Sequence, residues 1–323
     1  MNGRKSFKDD EFSFDMNTMT GISSAWSETK IKERVLTQFN QTRARRNIIN
    51  ATAVYGLSFC AILVLFCLFN IIFHLLVQGF SSLNRDFFLQ LPKPVGEPGG
   101  GTANAIVGTL ILLIVAVLVG VPIGLGAGIY LSEYAHQRFA QAVRFTTDVM
   151  NGIPSIVFGI FAWTILVVPF KSFSALSGGI ALGIMMIPMI TRTTEGFVRM
   201  VPVPLREAGL AIGTPKWRVI KDIVVPSSLG GIVTGIMVSL ARVAGETAPL
   251  LFTAFGNHFW HSSLLAPIAA LPLQIFSYAI SPFEDWHRQA WAGALVLILI
   301  VFVINLCSSY FVGRQRRMFS SHK

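Results

Sequence analysis

Two arginine–glutamate pairs stand at the ends of stretches otherwise free of charge. Arg192 and Glu195 follow an uncharged run from about Leu176 to Thr191, and Arg242 and Glu246 follow one from Ser227 to Ala241. Spacings of three and four put each pair on one face of a helix. At 1.5 Å per residue the first run covers about 24 Å, short of the roughly 30 Å hydrocarbon layer of a bilayer. Arg192 is therefore predicted in the inner part of that layer or at its edge, and Arg242 well past the midplane. A charge at the bilayer centre costs about 2.5–3.5 kcal/mol on insertion scales, so it faces protein or a water-filled interior. Two chemistries fit. In an anion pathway, Arg242 offers a planar fork of donors to a tetrahedral oxyanion, while Glu246 holds the fork and limits how tightly the anion binds. The carboxylate also accepts a hydrogen bond from a protonated oxyanion, which phosphate supplies near neutral pH and sulfate does not. Alternatively both pairs glue helices together, and snorkelling to the nearby interface satisfies Arg192 with Glu195.

Runs of this kind need a membrane to hold them, and composition agrees. Of 323 residues 53% are hydrophobic and 13% charged, against roughly a quarter charged in soluble domains. The net charge of +10 invites a nucleic-acid reading, but most Lys and Arg fall on one side of the predicted topology, the usual inside bias. Cys60, Cys67 and Cys307 all lie in apolar runs without CxxC spacing, so no disulfide or metal role follows. The first apolar run begins only after Arg46, too late for a cleaved signal peptide.

The predicted fold is an all-helical integral membrane protein of six spans. Residues 1–47 read as a mostly disordered polar tail closing in a surface helix, and 48–78 as the first span. Residues 79–104 form an outer loop ending in the turn-rich PVGEPGGG, and 105–313 a five-helix core. Within that core the second span carries Gly120, Pro122, Gly124, Gly126 and Gly128, small residues suited to close helix packing. A short inside segment lies between Glu133 and Asp148, and the third span is expected at about 149–168. Residues 197–226 form an inner loop. Residues 255–288, with His258, Trp260, His261, Trp286 and His287, are expected as interfacial helices in an outer aromatic belt. Residues 314–323 form a basic inner tail.

The inner loop carries a polar island, Arg206–Pro226, that reads as helix, stop, helix. Pro204 suits a first helical turn, Gly213 a C-terminal stop, Thr214 an N-cap and Pro215 the next first position, with Pro226 closing the unit. Leu210, Ile212 and Trp217 beside Glu207, Lys216 and Lys221 suit a protein partner, although an ordinary inter-span loop explains the basic residues equally well. The chain has no GxxxxGK[ST] loop and no metal-ligand motif. If ATP drives it, another chain hydrolyses that ATP.

The island resembles the EAA loop of ABC-importer permeases: Glu207, Ala208 and Gly209, then Gly213, Ile223, Val225 and Pro226, stand at the spacing of that pattern. Gly for the second Ala and Val for Leu are mild departures. The segments PVGEPGGGTANAIVGTL, MNGIPSIVFGIF, IPMITRTTEGF and ARVAGETAPLLFTA narrow the resemblance to the PstA-type permeases of phosphate ABC importers, over about Ile48 to Gly313. The resemblance implies a non-catalytic pore subunit in a prokaryotic inner membrane, both termini cytosolic. It implies that the island docks into an ATPase subunit as a coupling helix. The implied partners are a PstC-type permease, two PstB-type ATPases that hold ATP and Mg, and an extracytoplasmic PstS-type phosphate-binding protein. It also associates Arg192, Glu195, Arg242 and Glu246 with phosphate passage. Other classes stay open: an ion-coupled secondary anion carrier using the Arg/Glu pairs, or a signalling scaffold acting through residues 1–47.

Overall fold

A computed structural model describes residues 28–320 apart from 95, 96, 98 and 262. Residues 1–27 of the expected tail, part of the turn-rich stretch after Pro94 and residues 321–323 lie outside the described residues. The chain divides into two compact units, 1–71 and 72–323. Most of the first is α1 (Glu28–Ser82), a helix that starts in the polar segment and runs unbroken into the first apolar run.

In the second unit the tail end of α1 is followed by α2 (Arg85–Leu89), α3 (Ala103–Glu133), α4 (Gln137–Gly152), α5 (Ser155–Ala162), α6 (Val168–Phe170), α7 (Ala175–Arg199), α8 (Val203–Ala211), α9 (Lys216–Val219), α10 (Val225–Ala244), α11 (Ala248–Thr253), α12 (Leu271–Ala279) and α13 (Glu284–Ser320). π-helical turns join α5 to α6 at Trp163–Val167 and α9 to α10 at Ile220–Val224. Among the described residues the one extended pairing is a bridge between Phe255 and Ile268. Five helices among the described residues are long and apolar enough to cross a membrane, and six if the bent pair at 138–170 is one span.

That pair corrects the expected third span. α4 keeps its helix through Gly152, the residue before Pro154 turns extended at ψ 134°, and the two halves meet at 102°. Met150 and Asn151 thus belong to the amphipathic α4, and the apolar half starts at Ser155.

The core is built on α3 and α7. Gly120 lies against Gly183 and Met186, Gly124 against Ile190, and Gly128 against Thr191 and Thr194. The partner numbers advance together, so the helices run parallel. A Cβ on Gly120 would meet the Gly183 carbonyl oxygen at 2.8 Å, so the backbones approach as only small residues allow. Gly120, Gly124 and Gly128 take the packing role predicted for this stripe, whereas Gly126 is exposed with nothing within 4 Å because it falls on the opposite face of the helix. Leu112, Leu182, Met186, Ile190 and Leu250 are fully buried around it.

α10 crosses α7 in the opposite sense: Gly231 meets Phe197 and Gly235 meets Thr193. The outer segment departs from expectation. Residues 264–270 are not helical, α12 has nine residues, and Ile268, Ala270 and Leu271 are buried rather than interfacial. Thr109 on α3 accepts the Leu271 amide at 2.8 Å, and a Cβ on Gly108 would strike the Ala269 carbonyl. The prolines that break this stretch leave amides for α3 to satisfy, which draws it onto the bundle.

Candidate functional site

The Arg206–Pro226 island folds as an elbow. Pro204 sits in the first turn of α8, and Gly213 takes φ +79°, the left-handed conformation that ends a helix cheaply with glycine. Two expectations fail here. Thr214 makes no capping hydrogen bond, because Pro215 itself occupies the cap position with extended ψ 147° and α9 starts at Lys216. Pro226 does not close the unit either. It lies in the first turn of α10, and the π-turn before it lets the chain run helically from Lys216 to Ala244 despite the missing N–H.

Gly209 is buried where a Cβ would press on Val219 and Ile223 at 2.9–3.2 Å, so the elbow's two helices close on each other there. Glu207, Ala208, Leu210, Trp217 and Ile212 are exposed, the last at 81%. This is an apolar surface ringed by charge.

The elbow is clamped to the ends of two core helices. Arg206 pairs with Glu133 of α3 at 2.9 Å and donates to the carbonyls of Val198, in the last turn of α7, and Val201, just beyond it, at 2.7 and 2.9 Å. Lys216 donates to the Glu133 carbonyl and lies 4.5 Å from the Tyr134 ring centroid. The pattern of the sequence does not reveal this clamp, since its partners lie far apart along the chain.

Near the same end, Arg192 and Glu195 stand on α7 as predicted, but within a larger cluster. Glu195 is buried at 3% side-chain exposure and meets Arg144 at 2.6 Å, Arg199 at 3.0 Å and Arg192 at 3.1 Å. Arg192 also grips Asp148. Arg144 and Asp148 come from α4 at a spacing of four, which puts both on one face of the helix that the short inside segment forms. Three arginines and two carboxylates thus tie α4 to α7.

Arg242 and Glu246 do not share a helical face, contrary to expectation. α10 ends at Ala244, and Glu246 sits in the break before α11. Its carboxylate stands 3.9 Å from Arg242 Nε, a loose pair, and the arginine side chain is 47% exposed. Because Gly235 opposes Thr193 in antiparallel register, Arg242 lies about 9 Å farther from the elbow than Arg192 along the helix axes. The structure therefore holds Arg192 and Arg242 at successive heights along the helices, the first in tight ion pairs and the second in one loose pair.

A family model described as "Binding-protein-dependent transport system inner membrane component" matches residues 120–318. The chain belongs to that family. Among curated members, the phosphate transport system permease protein PstA of Yersinia pestis is 43% identical over 267 residues, 82% of this chain and 88% of that protein. PstA 1 of Mycobacterium tuberculosis H37Rv is 34% identical, over 86% of this chain and 93% of that protein. The family fold is also seen in the inward-facing MetNI methionine ABC transporter, which is 17% identical with a TM-score of 0.52 and covers 67% of this chain and 94% of that one. As an inner membrane component the chain is a multi-pass subunit of an importer assembled from several chains.

Proposed function

We propose that the chain is the PstA-type permease subunit of an ATP-driven phosphate importer, itself without catalytic activity. One observation supports this reading most: an arginine fork at membrane depth, half exposed, with a single loose carboxylate 3.9 Å away. Facing lipid, such a group would be strongly unfavourable. Facing a second permease across a wet passage, it is a receptor for an oxyanion. Glu246 beside it favours a phosphate that still carries a proton over a fully ionised oxyanion.

In this reading a PstC-type permease completes the passage, and an extracytoplasmic PstS-type protein delivers phosphate. Two PstB-type ATPases bind the ATP and Mg and receive the elbow through Leu210, Ile212 and Trp217. Both termini lie in the cytosol of a prokaryotic cell, on the elbow side. Arg242 then meets the anion first and the Arg192–Glu195 cluster lies nearer the exit. The test is uptake in proteoliposomes holding all the subunits: ATP-driven phosphate entry is expected and is lost when residues 203–219 are deleted. Normal uptake after that deletion, or uptake by this chain alone under a proton gradient, rejects the proposal.

A further inference from the structure

Arg192 already holds an anion, and the anion belongs to the chain. Its Nε donates to Asp148 Oδ1 at 2.8 Å and its Nη2 to Oδ2 at 3.2 Å. Two N–H groups thus meet the two oxygens of one carboxylate, the same fork that receives two oxygens of a phosphate. The third contact, Nη1 to Glu195 Oε2 at 3.1 Å, points back into the protein.

The two carboxylates are not equivalent. Glu195 is buried and held by three guanidinium groups, so it is fixed. Asp148 is 55% exposed at its side chain, and Arg192 is its ion-pair partner among the described residues. Rotation of one exposed side chain therefore empties the outer edge of the fork without disturbing the buried hub.

We propose that Asp148 is a tethered competitor for the transported oxyanion: it fills the Arg192 fork between transport events and retakes it as the oxyanion leaves. The proposal rests on the reading of Arg192 as a pathway residue. With Asp148 away, the outer edge of the fork is left with two unmet N–H donors on a guanidinium that Glu195 still holds at 3.1 Å, and Asp148 satisfies those donors. A fork without a competitor would hold its anion longer, since affinity is set mostly by the dissociation rate. A carboxylate on the neighbouring helix competes at an effective concentration on the order of millimolar. With Asp148 displaced, three arginines face one buried glutamate, a surplus that admits an anion. With Asp148 back, the surplus falls by one charge and the anion is expelled.

The test uses the complete importer, comparing wild type, Asp148→Asn, Asp148→Ser, Asp148→Glu and Arg192→Gln. Two readouts are needed: ATP-driven phosphate uptake in proteoliposomes, and retention of labelled inorganic phosphate by the purified complex without its binding protein. Asp148→Asn is expected to retain phosphate about fivefold more tightly and to turn over about fivefold more slowly, the scale of a partly exposed ion pair. Asp148→Glu is expected to restore both. Unchanged or weaker retention in Asp148→Asn overturns the proposal. Failure of both Asn and Ser variants to assemble also overturns it, because Asp148 is then a brace between α4 and α7. If Arg192→Gln transports at the wild-type rate, the pathway reading of Arg192 itself fails. If that variant is inactive while Asp148→Asn behaves as wild type, only the competitor role fails.

Discussion

Arg206 and Glu133 lie 2.9 Å apart, and through that contact the elbow is fastened to the end of α3 while the same guanidinium holds the Val198 and Val201 carbonyls at the end of α7. Both side chains are largely buried. Arg206→Met removes one charge-assisted pair and two carbonyl contacts, at a cost of about 2 kcal/mol. The expected result is an assembled importer that hydrolyses ATP but moves severalfold less phosphate per ATP. An unchanged ratio would show that force reaches the core by another route.

Glu195 is the hub of a buried charge cluster. Glu195→Gln leaves three guanidinium groups without their shared carboxylate and is expected to cost about 3–5 kcal/mol, read as a fall in thermal unfolding temperature in detergent. Arg144→Gln added to it should return part of the loss, because the two residues touch at 2.6 Å and their effects couple.

Arg242 is half exposed and its ion pair with Glu246 is loose at 3.9 Å. Arg242→Gln is therefore expected to abolish phosphate uptake while the importer still purifies intact. Loss of assembly together with uptake would assign Arg242 to holding helices rather than to the passage.

The glycines of α3 separate by what surrounds them. Gly120→Ala presses a methyl on the Gly183 carbonyl at 2.8 Å and should reduce the yield of folded protein markedly. Gly126→Ala has nothing within 4 Å and should leave yield and uptake unchanged.

Tyr278 on α12, outside the membrane-spanning helices, has its hydroxyl pKa raised from 10.0 by burial, with the polar side chain of Gln274 opposing. The folded state then keeps its proton longer than the unfolded chain. Its contribution is complete below pH 10 and is lost as pH rises above that. Tyr278→Phe should flatten the alkaline limb of a stability–pH curve and leave the neutral region unaltered.

Apart from the bent third, the spans are legible in the sequence because uncharged length is the one property a bilayer demands, and the elbow because Gly213 and the prolines punctuate it. The α3 glycine stripe is legible for the same reason: spacing on one helix is local information. The Arg206 clamp and the placement of Arg144 and Asp148 against α7 are not, since they join residues far apart in the chain. Glu246 shows the opposite error. Spacing of four implies a shared face only while the helix continues, and Gly245 ends it. Pro226 reads as a stop because the π-turn that absorbs it leaves no mark in composition.

The continuity of α9 through that π-turn into α10 makes a lever. Lys216 and Arg242 sit on one rod about 39 Å apart, so a tilt of about 5° about the elbow end carries Arg242 some 3 Å sideways. That displacement is about the length of one hydrogen bond, enough to bring a guanidinium within reach of an anion or to take it away.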